Sequence, residues 1–565
     1  MRRKTIGVML TGINGSYLTD FWLMMKKASE KHNCNLFVYD GRALKHSKDT
    51  DGKHSIIYNF VNKNRIDGLV IFSSTIANFI DDLEFDLFLK RFEGIPLVSV
   101  GRKVPDAISI LVDSKEGMKE QIRHLINHHG YRKIAFVKGP ETNLEALERY
   151  EAYLEVLEEN NIKKDPDIIF QGDFIFHTGY EIMKNIIIKN TEYDAIVFSN
   201  DDMALGAASA IVDLSQKYNF DTAKKGIMCG FDDSINLKFT KPYITTVRQP
   251  FEEICNLSLK ALLDKIDGKG KEKVYIVPSV LVIRESCGCK SEKKLNDISD
   301  NNILDNYLKS SNIMLDENVQ TYSLEELYDR ITKLLKLCNL NSLFISKYVG
   351  GTILYKDEYL FNVSYDIPEK SELLYAFYNG ERIDCIKEDI KYFDTKDVVP
   401  DSYIPFEKRF IYLLTPLFFD REHLGIMCVD ATNANPLELQ MLKIQVSNSL
   451  KGALMLLERG NVKRLLPENE SLALLGHLLG NVSHDLMTPI MSISGAATVL
   501  EDLVDEYKDS IGDRDVTIED HHEISNEMKK WIKRIKDFNS HISKAVSTVK
   551  NQAVRLGLDI TNKLS

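Results

Sequence analysis

The first 290 residues alternate short apolar runs with amphipathic segments at a regular spacing. Runs such as "KTIGVML", "NLFVYD", "IDGLVIFS" and "AIVFSN" are rich in β-branched residues, which favour strands. Segments such as "LTDFWLMMKKASEKH" and "SKEGMKEQIRHLINHHG" place apolar residues three and four apart, the spacing of one helix face. Strands separated by helices predict parallel α/β sheets, in which ligands bind beyond the carboxyl ends of the strands.

Residues 300–435 show a different pattern, which predicts an α+β module. The segment "SLEELYDRITKLLKLCNLNSLFISKYV" predicts a helix followed by a strand, and "RFIYLLTPLFFDREHLGIMCVDA" predicts a hairpin that turns at residues 420–422. Asn435 as N-cap and Pro436 at the first helical position predict a long signalling helix over 436–466. This order resembles a GAF or PAS-like module, and a spacer that promotes dimerisation fits it equally well.

Residues 467–555 carry two long apolar stripes at helical spacing. The stripes are Leu475, Leu479, Val482, Leu486, Ile490 and Ile493, and then Ile524, Met528, Trp531, Ile535, Phe538, Ile542, Val546 and Val549. Two such helices predict an α-helical hairpin. A lone hairpin cannot bury both stripes, so we expect two chains to form a dimeric four-helix bundle.

The first of these helices contains "SHDLMTP", residues 483–489. This segment resembles the phosphoacceptor box of sensor histidine kinases, although Met487 stands where those proteins usually have arginine or a similar polar residue. The resemblance implies that His484 accepts the phosphoryl group, that Asp485 acts as general base and that Thr488 serves phosphatase chemistry. A neutral imidazole can attack a phosphoryl group while a neighbouring carboxylate holds its proton. The alternative is a bundle helix with an exposed histidine.

Several segments of the first 290 residues carry a second resemblance. The segments "HLINHHGYRKIAFVKGP", "FSNDDMALGA", "CGFDDS" and "ITTVRQP" resemble, in order, the effector-binding part of lac-repressor-type regulators. That resemblance implies a periplasmic-binding-protein-like fold of two α/β lobes joined by crossing strands, with the ligand in the cleft. It implies polar ligand contacts at Arg149, Asn200 and Asp232, whose donors and acceptors suit a hydroxyl-rich, sugar-like molecule.

Some of these candidate ligand contacts have alternative roles. Asn200 and Asp232 also fit as turn or helix caps, which Asp and Asn often form. Tyr17 and Trp22 follow the first strand and could stack on a sugar face, but a place in the core explains them at least as well.

Composition and charge narrow the classes of function. The net charge of −11 argues against a broad nucleic-acid surface. Apolar runs fall short of the roughly 20 residues that span a bilayer, so we expect a cytoplasmic protein without membrane contact. The eight scattered cysteines suit a reducing compartment. Cys287 and Cys289 in "RESCGC" are close in sequence, but a metal site needs more ligands, so no metal is predicted.

Together these features predict a multidomain protein with boundaries at 1–290, 300–435, 436–466 and 467–555. The main interpretation is the sensor of a two-component phosphorelay, with a response regulator as partner. No P-loop or GxGxxG follows His484, so we expect no cofactor in this chain and an ATP-binding kinase domain supplied in trans or by a longer chain. The sequence opens at the first strand of the sensor, where these repressors carry a helix-turn-helix, so no direct nucleic-acid contact is expected. The alternative is a non-enzymatic lac-repressor-like transcriptional regulator or adaptor that only dimerises through its C-terminal helices.

Overall fold

The computed structural model divides the chain into two compact units, Met1–Met455 and Leu456–Ser565. The residues that it describes are 2–13, 16–45, 52–215, 217–218, 220–270, 273–290, 323–354, 367–385, 391–465, 504, 507–508, 521–522, 524–533, 535–536 and 540.

Strands and helices alternate along residues 1–290, as the pattern of apolar runs predicts. The strands are β1 (Thr5–Leu10), β2 (Asn35–Asp40), β3 (Gly68–Phe72), β4 (Leu97–Val100), β5 (Ile108–Asp113), β6 (Ile134–Val137), β7 (Ile169–Phe170), β8 (Ala195–Phe198), β9 (Met228–Cys229), β10 (Thr246–Arg248), β11 (Val274–Pro278) and β12 (Val280–Val282). The helices are α1 (Ser16–Lys31), α2 (Ser73–Ile76), α3 (Asp82–Leu89), α4 (Ser114–Asn127), α5 (Leu144–Glu159), α6 (Phe176–Ile188), α7 (Asp201–Leu214), α8 (Thr222–Lys225) and α9 (Phe251–Ile266).

Lobe one is built on a parallel sheet in the order β11-β5-β4-β3-β1-β2. Every residue of β1, β2 and β3 is buried, because both faces of a parallel sheet are covered. Helices α1 and α9 cover one face, where Phe21 stacks on Phe72 with ring centroids 4.0 Å apart. The buried faces explain why these strands read as continuous apolar runs rather than alternating ones.

Lobe two is built on a second parallel sheet in the order β7-β6-β8-β9. Helices α6 and α7 pack unusually closely on one face. A Cβ added at Gly179 would lie 2.0 Å from the carbonyl oxygen of Met203, and one at Gly206 would lie 1.9 Å from that of Phe176. Strands β10 and β12 form a separate antiparallel pair. The predicted two-lobed α/β fold is confirmed for this part of the chain.

The middle elements follow after residue 322. They are α10 (Leu324–Leu337), β13 (Leu343–Tyr348), β14 (Ile353–Leu354), β15 (Lys370–Tyr378), β16 (Glu381–Ile383), β17 (Tyr392–Asp394), β18 (Ile411–Phe419), β19 (Glu422–Asp430) and α11 (Pro436–Leu465). The predicted hairpin is confirmed, since β18 pairs with β19 and Asp420 takes a positive φ of 51° at the turn. The long helix begins at Pro436, as its sequence predicts.

The middle sheet is continuous with the sheet of lobe one. Strand β18 pairs in parallel with β2, in the register Ile411↔Leu36 to Leu414↔Tyr39, and the order continues β18-β19-β13-β15-β16. One hydrophobic core contains both Trp22 of lobe one and Leu442 of α11. The strand pairing and the shared core make lobe one and the middle elements parts of a single compact unit.

The second unit is described only in part, and its described residues are helical. Residues 524–533 fall within the second predicted helix, and Ile524, Met528 and Trp531 of its apolar stripe are half-buried. His484, Asp485 and Thr488 lie outside the described residues. Among the described helices, none has a stretch long and apolar enough to cross a membrane.

Candidate functional site

The two lobes enclose a cavity of about 280 Å³ at the carboxyl ends of their strands, which we call the cleft. That volume is at the lower end of the roughly 300–1,000 Å³ of small-molecule sites. Its lining residues are Thr11, Tyr17, Leu18, Arg42, Ala43, Ser74, Thr75, Asn78, Phe79, Asn143, Glu145, Arg149, Asp173, Phe174, Ile175, Asn200, Asp202, Asp232 and Gln249. The sequence-predicted residues Tyr17, Arg149, Asn200 and Asp232 all belong to this lining.

Arg149 is the buried cation of the cleft, with 2% of its side chain exposed. It projects from α5, where Nη1 donates to the carbonyl oxygen of Ser199 at 2.7 Å and Nη2 donates to Glu145 Oε2 at 3.0 Å. Its guanidinium lies 3.8 Å from the centroid of the Phe231 ring, which places it in a cation–π contact. Its buried Nε has no hydrogen-bond partner among the described residues. The Arg149 side chain is thus fixed in place on the wall of the cleft.

Glu145 lies one helical turn before Arg149 and was missed by the sequence reasoning. Burial raises the pKa of the Glu145 carboxyl, and the Arg149 guanidinium opposes that shift. The i,i+4 spacing of an acid and an arginine on one helix is a pattern that could have revealed the pair. The pair therefore brings opposite charges together on the wall of the cleft.

Asp232 faces Arg149 from the loop after β9. Its Oδ1 lies 4.0 Å from Arg149 Nη2 and accepts a hydrogen bond from Gln249 Nε2 at 2.8 Å. Burial raises the pKa of Asp232 well above its usual range, against the opposing effect of Arg149. Gln249 also accepts from the hydroxyl of Tyr17 at 3.3 Å and was likewise missed by the sequence reasoning. A chain of hydrogen bonds thus links Asp232, Gln249 and Tyr17 beside the end of β10.

Asp201 holds the loop that carries Asp232. It accepts from the backbone N–H of Ser234 at 2.8 Å and from the hydroxyl of Thr246 at 2.7 Å. Burial raises the pKa of Asp201 to about 7, although these two donors oppose the shift. Asp201, the first residue of α7, therefore positions this loop, although it does not itself line the cleft.

Asn200 combines the two roles that the sequence left open. Its side chain lines the cleft, yet it also caps α7, with Oδ1 accepting from the N–H of Met203 at 3.1 Å. Its Nδ2 donates to the carbonyl oxygen of Phe174 at 3.0 Å. The cap therefore already uses one acceptor and one donor of this side chain.

This arrangement gives a prediction for Asn200. Asn200→Ala should lower the free energy of unfolding by about 1 kcal/mol, because the N-cap acceptor is lost. Asn200→Ser keeps an acceptor for the N–H of Met203 but loses the bond to Phe174, so it should cost less. Urea denaturation monitored by circular dichroism measures both values. Equal losses for the two variants would contradict the capping role.

The structure places Tyr17 and Trp22 in different environments. Tyr17 stacks on Phe72 with centroids 5.6 Å apart and lines the cleft. Trp22 lies on the same helix but is completely buried in the core shared by lobe one and α11. The position of Trp22 on the core face of α1 removes it from ligand contact and makes it a packing residue.

A second cavity of about 580 Å³ lies between lobe one and α11. Its polar lining includes Asp40, Lys53, His54 and Lys443, and it shares Arg42 with the cleft. Asp40 Oδ2 lies 3.3 Å from Lys443 Nζ and accepts from the hydroxyl of Thr415 at 3.1 Å. This ion pair ties the carboxyl end of β2 to α11.

Comparison with known families bears on the N-terminal part of the chain. The profile of the periplasmic binding protein-like domain matches residues 122–287. The transcriptional repressor PurR of Mannheimia succiniciproducens is 28% identical over 287 residues, which cover 50% of this chain and 81% of that protein. The regulator RegA of Clostridium saccharobutylicum is 27% identical over 288 residues, which cover 50% and 82%.

Solved structures align with a similar share of this chain. A dimeric lac repressor with a C-terminal deletion aligns with 51% of this chain and all of its own, at 21% identity and a TM-score of 0.43. The profile match and the two lobes support a periplasmic-binding-protein-like domain in the N-terminal half of this chain, the half that is similar to the repressor and regulator named above.

These findings correct the main functional prediction. The similar proteins are named as HTH-type transcriptional repressors and regulators, so the interpretation as a two-component phosphorelay sensor with a histidine kinase role is wrong. The alternative, a lac-repressor-like transcriptional regulator, agrees with them. A response regulator and a kinase domain are unsupported as partners. The prediction that the protein makes no direct nucleic-acid contact also conflicts with the relatives, which are named as HTH-type regulators.

Proposed function

We propose that this protein is a transcriptional regulator controlled by a small hydroxyl-rich molecule that binds in the cleft. The observation that carries the proposal is the buried group of Arg149, Glu145 and Asp232 between two lobes of the lac-repressor type. Arg149 supplies guanidinium donors, and Asp232 supplies carboxyl oxygens as acceptors opposite it. A ligand hydroxyl can accept from the first and donate to the second.

The charges of the lining favour a neutral ligand. Two guanidinium groups, of Arg42 and Arg149, line the cleft together with four carboxyl groups. The carboxyl groups would repel a phosphorylated or carboxylated ligand, since charges of one sign concentrated in a cleft exclude that sign. The rings of Tyr17, Phe79 and Phe174 offer apolar faces against which a sugar ring can lie. Neutral sugars and polyols are therefore the ligand class of this proposal.

The middle elements supply the connection from the cleft to the rest of the chain. The antiparallel order β18-β19-β13-β15-β16, flanked by α10 and α11, supports a GAF or PAS-like module in this role. Arg42 lines the cleft, and its Nη1 lies 3.8 Å from Asp40 Oδ1, while Asp40 Oδ2 pairs with Lys443 of α11. In this proposal, ligand binding acts on α11 through that chain of contacts, and the dimer forms through residues 467–555.

A thermal-shift screen of the full chain tests ligand binding. We expect a neutral sugar or polyol to raise the melting temperature, because a ligand at 100 times its Kd stabilises the folded state by about 2.7 kcal/mol. The panel should include phosphorylated sugars, sugar acids and nucleobases as competing classes.

Two matched variants locate the effect. Asp232→Asn keeps the shape and the acceptor for Gln249 but replaces the second carboxyl oxygen with an amide donor, so it should abolish the shift. Asp167→Asn changes an exposed carboxyl of lobe two and should leave the shift intact. A panel that leaves the wild-type melting temperature unchanged would refute the proposed ligand class.

A further inference from the structure

Two histidines and two cysteines converge at the end of lobe two, outside the lining of the cleft. The candidate ligand atoms of His124, His129, Cys287 and Cys289 all lie within 4.8 Å of one another. The sequence places the histidines about 160 residues before the cysteines. The fold brings them together because the chain returns from β12 to the C-terminal end of α4.

The distances between these atoms match the edges of a tetrahedral metal site. Cys287 Sγ and Cys289 Sγ each lie 3.5 Å from His124 Nε2, and Cys289 Sγ lies 3.4 Å from His129 Nε2. Zinc bonds of ~2.3 Å to sulfur and ~2.0 Å to nitrogen, set at tetrahedral angles, give sulfur–nitrogen edges of roughly 3.5 Å. A single cation at the centre therefore needs little movement of these side chains.

Hydrogen bonds alone satisfy the cluster poorly. His124 Nε2 lies at the same distance from two thiols, but one imidazole nitrogen has either one lone pair or one proton. Cys287 Sγ also lies 3.3 Å from the carbonyl oxygen of Arg284, which is the partner a protonated thiol would use. One cation would satisfy both sulfurs and both nitrogens together.

The backbone is shaped to present these side chains. Helix α4 ends at Asn127, and a turn with Gly130 at φ +73° carries His129 back beside His124. Gly288 takes φ +101° between the two cysteines, and a Cβ there would lie 3.0 Å from the Tyr131 hydroxyl. Tyr131 donates to the carbonyl oxygen of Cys287 at 3.3 Å, and its ring stacks on His129 with centroids 5.2 Å apart. These contacts preorganise the four candidate ligands.

We propose that His124, His129, Cys287 and Cys289 bind one zinc ion as a structural site. Two thiolates and two imidazoles form the closed four-ligand set that zinc takes in structural sites. Hard cations such as magnesium and calcium prefer oxygen ligands and do not suit it. The two thiolate charges balance the charge of the ion.

The position of the site indicates what the ion does. The zinc site fastens the segment after β12 to the end of α4. That segment is the part of the chain that precedes the middle elements. A metal that binds only the folded state contributes its binding energy to folding. The zinc site therefore holds the exit of the ligand-binding domain in a fixed position.

Metal analysis of the purified full chain tests the proposal. We expect about one zinc ion per chain in the wild type after dialysis against a zinc-buffered solution. The double variant Cys287→Ser/Cys289→Ser should lose nearly all of it. His128→Gln alters an exposed histidine beside the cluster, and Cys338→Ser alters a thiol elsewhere, so both should retain the metal.

Cobalt substitution gives a readout that does not depend on whether the double variant folds. Wild-type protein stripped with a chelator should take up cobalt and develop the thiolate-to-metal and visible absorption bands of a tetrahedral site, and zinc should then bleach them. Wild-type protein that binds no zinc and shows no such bands would overturn the proposal. Equal zinc content in the wild type and the folded double variant would overturn it as well.

Discussion

Arg149→Met is expected to lower the free energy of unfolding by about 3–5 kcal/mol and to abolish ligand binding. The guanidinium is buried among Glu145, Asp232 and the carbonyl oxygen of Ser199. Methionine fills much of the same volume but leaves both carboxyl groups without their cation. Breaking a buried ion pair by removing one partner leaves an uncompensated charge, which is the reason for the large cost.

The cost of Arg149→Met should depend on pH, in a direction set by Glu145. Burial raises the pKa of Glu145 and Arg149 opposes that shift, so removal of the arginine raises the pKa further. A raised pKa favours the folded state at low pH, and this advantage is lost as pH rises through the folded value. The stability deficit of the variant should therefore be larger near pH 8 than near pH 5.

The double variant Arg149→Met/Glu145→Gln provides the control. It removes one of the two carboxyl groups that Arg149→Met leaves without a cation, so it should recover part of the stability and reduce the pH dependence without restoring ligand binding. Denaturant titrations at several pH values measure the three proteins. A deficit that is the same at pH 5 and pH 8 would contradict the role assigned to the Glu145–Arg149 pair.

Tyr412→Ala is expected to destabilise lobe one and the middle elements together, by about 3–5 kcal/mol. Tyr412 lies on β18 opposite Phe37 of β2, is 1% exposed and packs on Phe410 with centroids 4.9 Å apart. Its hydroxyl donates to the carbonyl oxygen of Tyr403 at 2.8 Å. Removing the ring leaves a cavity in the core that packs against the paired strands β2 and β18.

The two tryptophans of the chain allow this prediction to be localised. Trp531→Phe leaves Trp22, in the core of lobe one, as the sole tryptophan. In that background, Tyr412→Ala should shift the unfolding transition seen by Trp22 fluorescence as far as that seen by circular dichroism. Tyr412→Phe loses only the hydroxyl bond and should cost about 1 kcal/mol. An unchanged Trp22 transition in Tyr412→Ala would show that the middle elements unfold separately from lobe one.

The sequence predicted Arg149, Asn200 and Asp232 through the resemblance of its motifs to lac-repressor-type regulators. In the structure all three line the cleft: Asn200 and Asp232 follow β8 and β9, whose carboxyl ends meet at one edge, and Arg149 lies on α5. Glu145 was predictable from its spacing to Arg149. Gln249 was not, since its role depends on the contact between β10 and the loop of Asp232.

The features that the sequence did not predict are contacts between distant segments. Strand β2 reads as an ordinary buried strand, and nothing in "NLFVYD" indicates that its free edge pairs with β18. Cys287 and Cys289 appeared as an isolated pair because His124 and His129 precede them by so many residues. The environment of Trp22 was also not predictable from the sequence. The apolar pattern of α1 does not indicate which apolar residue faces the core and which faces the cleft.

The central claim is that the ligand binds in the cleft rather than in the larger cavity beside α11. A crystal structure of the full chain with the strongest neutral sugar or polyol from the thermal-shift screen tests it most directly. We expect density for the ligand between the lobes, with hydroxyl oxygens within hydrogen-bond distance of Arg149 and Asp232. Density instead among Lys53, His54 and Lys443 of the second cavity, with the cleft free of ligand, would contradict it.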